Sequence, residues 1–67
     1  MKITKRALFQ RVARAFEKDG RKLVVNRREG GWSVIELERN VRERDIDDLE
    51  PVARSMKLLQ EWEAVER

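Results

Sequence analysis

The sequence predicts a small α+β domain in which an antiparallel sheet of two or three strands is covered on one face by two helices. The length of 67 residues allows one domain. Segments with helical periodicity lie towards the two ends of the chain, and strand-like segments around a glycine-rich turn lie between them. This α-β-β-(β)-α order favours an antiparallel sheet with both helices on the same face. We therefore expect residues 1–67 to form a single domain.

The first helix is predicted over residues 4–19. Its apolar residues recur at three- and four-residue spacing and share one face, namely Leu8, Phe9, Val12, Ala13 and Phe16. Thr4 is a typical N-cap residue, and Gly20 can adopt the left-handed conformation that ends a helix. Both ends of this helix are therefore encoded locally.

A β-hairpin is predicted next, with strands over residues 23–25 and 32–37. A three-residue loop at 28–30 would set Leu23 opposite Ile35 and separate an apolar inner face from an outer one. The inner face in this register carries Leu23, Val25, Ile35 and Leu37. The outer face carries Val24, Asn26, Trp32 and Val34. We therefore expect an exposed apolar patch on the outer face of the sheet.

Residues 41–46 are predicted as a short third strand, although their alternating charges also suit an exposed loop. The second helix is predicted over residues 49–59. Its apolar stripe consists of Leu49, Val52, Ala53, Met56 and Leu59. Asp47 or Asp48 is the expected cap, and Pro51, which is tolerated only in the first helical turn, favours Asp48.

The residue types present argue against an enzyme. The chain contains neither cysteine nor histidine, which removes disulfides, thiolate nucleophiles and the commonest general base and metal ligand. The hydroxyl groups of Thr4, Ser33 and Ser55 have no familiar base to activate them. The carboxylates of residues 45–50 lack the glycine of a calcium loop and are better explained as helix caps. We expect no cofactor, metal or small-molecule substrate.

The apolar segments are too short to span a membrane, and the N-terminus lacks the apolar region of a secretory signal. The expected location is the cytoplasm, without a membrane partner.

Charge is distributed unevenly along the chain. Residues 1–28 contain ten lysines and arginines against two acids, whereas residues 29–67 contain six basic and eleven acidic residues. Such asymmetry often marks a contact with nucleic acid, although the two halves could instead neutralise each other in the fold. Basic residues recur along one ridge of the first helix and continue into the hairpin. The candidate nucleic-acid-binding residues are Arg11, Arg14, Lys18, Arg21, Arg27 and Arg28.

A protein partner or a second copy of the chain is the alternative ligand. Trp62 lies off the stripe of the second helix, so the end of the chain either bends back or contacts a partner. The candidate interface residues are Val24, Trp32, Val34 and Trp62.

Two groups of residues near the two ends of the chain form a recognisable pattern, namely 3–8, Arg11, Arg14, 47–49, Ala53, Arg54, Leu59, Trp62 and Glu63. In these positions the chain resembles a family of small uncharacterised proteobacterial proteins that plasmids and phages often carry. The family tends to have glycine where Lys57 stands and proline where Glu61 stands, so the second helix is expected to continue further here. The resemblance implies an accessory protein of a mobile element and transfers no site.

The element order also looks like that of double-stranded-RNA-binding domains, whose recognition relies partly on a basic start to the second helix. The corresponding residues 47–50 are mostly acidic here and would repel phosphate. The likeness is therefore one of topology only.

Overall fold

The computed structural model describes residues 1–66 and confirms the α+β class. Two helices cover one face of a three-stranded antiparallel sheet with strand order β2-β3-β4, and a short parallel pair joins the two ends of the chain. The elements are β1 (Lys2–Ile3), α1 (Lys5–Lys18), β2 (Arg21–Val25), β3 (Trp32–Glu36), β4 (Val41–Ile46), α2 (Leu49–Ser55) and β5 (Ala64–Val65).

Helix α1 begins and ends where its local sequence predicts. The Thr4 hydroxyl accepts a hydrogen bond from the backbone N–H of Ala7 at 3.0 Å. Gly20 follows the C-cap with a φ of +74°, in the left-handed region that glycine adopts at little cost. Leu8, Val12 and Phe16 form the buried face.

The predicted register of the hairpin is wrong by one residue. Leu23 pairs with Val34, and the N–H of Asn26 donates to the carbonyl of Gly31 at 3.0 Å, closing a four-residue loop over 27–30. Gly30 and Gly31 both have positive φ, and the second left-handed residue makes the longer loop possible. Because side chains alternate between faces, this shift moves Trp32 and Val34 from the outer face to the core face.

The third strand explains why this register is preferred. Ile46 of β4 is buried opposite Trp32, so the core face extends across all three strands. Val34 is fully buried, whereas Val25 and Leu37, both predicted to be inside, are exposed. Ile35 is half-buried on the outer face. The alternation within β2 and β3 alone does not contain this contribution of β4 to the buried face.

Strand β4 forms as predicted and contains a bulge. Val34 pairs with Arg44 while Ile35 pairs with Arg42, which leaves one extra residue in β4. The Arg44 guanidinium lies 5.9 Å from the centre of the Phe16 ring in a cation–π contact. The edge strand is therefore tied to α1 as well as to the sheet.

Helix α2 ends at Ser55 and is therefore shorter than the predicted helix over residues 49–59. The N–H of Leu58 donates to the carbonyl of Ala53 at 2.8 Å, and that of Lys57 donates to Arg54 at 3.1 Å. Lys57 has a φ of +59° and occupies the left-handed position at which glycine is usual. The expectation that lysine at this position prolongs the helix is thus also wrong.

The hydrophobic core lies between the helices and the sheet. It contains Ile3, Leu8, Val12, Phe16, Leu23, Val34, Ile46, Leu49, Ala53 and Leu59. Neither helix found among residues 1–66 has the length and apolar character needed to cross a lipid bilayer.

Candidate nucleic-acid interface

An open groove of about 480 Å³ lies between α1 and the turn that follows α2. Helix α1 supplies most of its polar lining, and Met56 and Leu58 supply much of its apolar lining. The lining residues are Ala7, Gln10, Arg11, Arg14, Ala15, Lys18, Asp19, Met56 and Leu58. The structure therefore brings Arg11, Arg14 and Lys18 of the predicted ridge to one groove.

Arg11 differs from the prediction because it has an acidic partner. Its Nη1 donates to Oε1 of Glu63 at 3.0 Å and to the carbonyl of Leu58 at 3.1 Å, and its Nη2 donates to Oε2 of Glu63 at 3.0 Å. Glu63 is only 7% exposed. Arg11 is therefore not a free cation of the predicted ridge, and its guanidinium anchors the C-terminal segment to α1.

The electrostatics of this pair favour the charged forms. The hydrogen bond from Arg11 lowers the pKa of Glu63, and donation from the backbone N–H of Gln60 at 2.9 Å lowers it further, while desolvation opposes both effects. The same hydrogen bond raises the pKa of Arg11. Arg54 Nη2 donates to the Glu63 carbonyl at 3.0 Å, so this residue is held through both its side chain and its backbone.

Arg14 and Lys18 are the exposed cations of the groove. They lie about one helical turn apart, and neither belongs to the ion pairs formed within residues 1–66. Asp19, at the C-cap of α1, is the acidic residue of the groove lining. These two side chains can therefore meet an anion without first breaking an ion pair.

Arg21, a candidate for extending the basic patch into the hairpin, has an acidic partner. Its Nε donates to Glu43 of β4, with distances of 2.9 and 3.1 Å to the two carboxylate oxygens. Glu43 is the residue that the β4 bulge leaves without a partner in β3. Arg21 thus has a neighbouring negative charge that the sequence pattern did not reveal.

Arg27 and Arg28 lie in the loop at the opposite end of α1. Strand β2 starts directly after the C-terminal end of α1, and there the N–H of Leu37 donates to the carbonyl of Gly20. At the far end of the hairpin, Trp32 shares a cavity with Lys5 of the first helical turn. At about 1.5 Å of rise per residue α1 is roughly 20 Å long, and Arg14 and Lys18 lie in its C-terminal half. The expected continuous patch is therefore divided in two.

The candidate protein interface is also rearranged. Val34 is buried and Trp32 packs against the core, so the expected outer patch of Trp32, Val24 and Val34 does not form. Val24 remains on the outer face, half-buried. Trp62, in contrast, is 67% exposed.

Three carboxylates of residues 45–50, those of Asp45, Asp48 and Glu50, have structural partners. Asp48 caps α2 by accepting from the N–H of Glu50 at 3.0 Å, as predicted. Asp45 accepts from the hydroxyl of the buried Ser33 at 2.7 Å and lies 3.9 Å from Arg42. Part of the acidic cluster therefore has a structural role in capping α2 and in holding β4.

Sequence reasoning missed Glu63 and the pairing of β1 with β5. A single glutamate in a polar segment produces no periodic signal, and its partner Arg11 is 52 positions away. The two-residue strands are also too short for an alternating pattern. Neither feature has a periodic or local signal in the sequence.

Comparison with protein-family models, with curated proteins and with solved structures found no match to this chain. The resemblance to small proteobacterial proteins stays a prediction.

Proposed function

We propose that this protein binds nucleic acid through the groove beside α1, in a regulatory or accessory role, without catalysing a reaction. The observation that carries the proposal is the pair of exposed cations, Arg14 and Lys18, on the same groove and outside the ion pairs of residues 1–66. Basic side chains in a row along a helix can follow the phosphates of a nucleic-acid strand.

The neighbouring ion pair supports this site by giving it a rigid wall. Arg11 holds Glu63 and Leu58 in place, so the turn opposite α1 is attached to the helix by three hydrogen bonds. A preformed concave surface loses less conformational entropy on binding than a mobile one. The geometry favours this groove over the start of α2, where Asp47, Asp48 and Glu50 would repel phosphate.

An interaction with a protein partner or a second copy of the chain is the alternative proposal, and the exposure of Trp62 favours it. Its remaining predicted contact is Val24, because Trp32 and Val34 belong to the core. A strictly monomeric protein at high concentration would contradict the homodimer form of this alternative.

The test is fluorescence anisotropy of labelled duplex DNA, duplex RNA and single strands at about 50 and 200 mM salt, concentrations between which phosphate contacts lose much of their affinity. The variant is Arg14→Glu with Lys18→Glu. If both residues contact phosphates, the slope of log Kobs against log salt becomes less steep by about 2 in this variant, and affinity falls. Arg11→Glu is unsuitable, because it would place a carboxylate against the buried Glu63.

The matched control is Arg27→Glu with Arg28→Glu, which changes the net charge equally at the other end of α1. At about 200 mM salt the Debye length is below 10 Å, so this variant should retain most of the affinity. Equal losses in the two variants would indicate attraction by net charge alone. No binding of any nucleic acid by the wild type would refute the proposal.

A further inference from the structure

We propose that Trp62 is a stacking platform for a base of a single-stranded nucleic acid that occupies the basic groove. The inference rests on the proposed function and names the class of nucleic acid.

Trp62 is the one aromatic residue of the described chain that the fold leaves outside its core. Phe16 is buried, and Phe9 and Trp32 pack against the core, whereas Trp62 is 67% exposed. Its backbone carbonyl accepts a hydrogen bond from the N-terminal ammonium of Met1 at 3.0 Å. The position of residue 62 is therefore determined by the fold, although its indole contributes little to the core.

Positive groups lie near the main chain of Trp62, and its neighbour in sequence is bound to the groove lining. The N-terminal ammonium contacts its carbonyl, and Lys2 pairs with Ala64 two residues further on. The next residue, Glu63, is bound by Arg11 of the groove lining. The main chain of residue 62 thus lies beside the N-terminal ammonium, and the residue after it is bound to the groove lining.

Two acidic residues flank Trp62, and they differ in their effect on an approaching phosphate. Glu63 is neutralised by Arg11, with two N–O distances of 3.0 Å. Glu61 is exposed and outside the ion pairs of residues 1–66, so it opposes an approaching phosphate. Glu61→Gln should therefore strengthen binding.

This combination fits a single strand better than a duplex. In a single strand each base offers a free ring face that can stack on an aromatic side chain, while cations follow the backbone. In a duplex the base faces are already stacked on one another. Stacking on Trp62 would add affinity for the single strand alone and would depend little on its sequence.

The experiment uses Trp32→Phe, which leaves Trp62 as the only tryptophan. Oligothymidylate of about 12 nucleotides, within the site sizes known for single-strand binders, should quench its fluorescence, and a duplex of equal length should quench it much less. In the otherwise wild-type chain, Trp62→Ala should weaken oligothymidylate binding by about 5- to 150-fold and leave duplex binding unchanged. Trp62→Phe is the matched control and should retain most of the affinity. Because the indole is exposed, thermal melting of both variants should match that of the wild type.

The outcomes separate this inference from the proposed function. If Arg14→Glu with Lys18→Glu weakens binding but Trp62→Ala does not, or if duplex and single strand bind equally, the stacking role is refuted and the groove remains the site. If no nucleic acid binds, both proposals fail. If Trp62→Ala changes only the oligomeric state in size-exclusion chromatography, Trp62 is a protein contact and the stacking role is refuted.

Discussion

Replacing Gly31 by alanine should destabilise the protein more than the same substitution at its neighbour Gly30. Both glycines have left-handed backbone conformations, with φ of +75° and +79°. A Cβ at Gly30 would meet no atom within 4 Å, whereas one at Gly31 would overlap the backbone carbonyl oxygen of Ile46 and lie 3.3 Å from Cα of Asp47. The pair therefore separates the cost of backbone conformation from the cost of a steric clash.

The expected magnitudes follow from these two costs. A left-handed conformation costs an L-residue about 1–2 kcal/mol, so Gly30→Ala should lower the free energy of unfolding by about that amount. Overpacking adds about 1–3 kcal/mol at Gly31, because Ile46 pairs with Trp32 and its carbonyl cannot move without disturbing the sheet. A domain of this size has a total stability of about 3–10 kcal/mol. Gly31→Ala should therefore remove a large share of it.

Urea unfolding followed by circular dichroism measures both variants, with unchanged m-values as the check that the unfolded states are comparable. In thermal melts each kcal/mol corresponds to about 4–8 °C for a small domain. Equal destabilisation by the two substitutions would refute the argument, since it would mean that the chain avoids the Ile46 contact at no cost. It would also contradict the four-residue loop that places Gly31 there.

Two further stability predictions concern the C-terminal segment. Lys57→Gly should raise the free energy of unfolding, measured in urea melts, by about 0.5–1 kcal/mol. Glycine removes the cost of the positive φ, and the larger conformational entropy of glycine in the unfolded chain offsets only part of that gain. A destabilised variant would contradict the left-handed helix end at Lys57. Because the pKa of Glu63 is lowered in the folded state, its stabilising effect should be complete above its ordinary value of 4.5 and should be lost as the pH falls through the lowered folded-state pKa. Glu63→Gln should reduce stability at neutral pH and flatten the dependence below pH 4.5, and an unchanged acid profile would show that Arg11 does not stabilise the carboxylate.

The local sequence was sufficient for the features that depend on neighbouring residues. Helix α1, its Thr4 cap and its Gly20 terminator follow from spacing and turn chemistry within a few positions. The Asp48 cap of α2 and the strand β4 likewise follow from residues that are close in sequence. The order of these elements then led to the α+β class.

The wrong predictions concern the hairpin register and the end of α2. In both, contacts with a segment distant in sequence select one of the conformations that the local sequence allows. The hairpin register depends on Ile46 of β4, which makes the face containing Trp32 and Val34 the buried one. The end of α2 at Ser55 depends on packing Leu59 back onto the core, which outweighs the cost of a left-handed Lys57.

By itself the sequence determined the helices' starting points, the antiparallel α+β class, the excess of positive charge in residues 1–28 and the absence of cysteine and histidine chemistry. The tertiary structure alone decided which of these charges are neutralised. Arg11 meets Glu63 across 52 positions and Arg21 meets Glu43 across 22, whereas Arg14 and Lys18 stay outside the ion pairs of residues 1–66. Ion pairing depends on distances of a few ångströms between side chains, and the folded path of the chain sets those distances, not their separation in sequence.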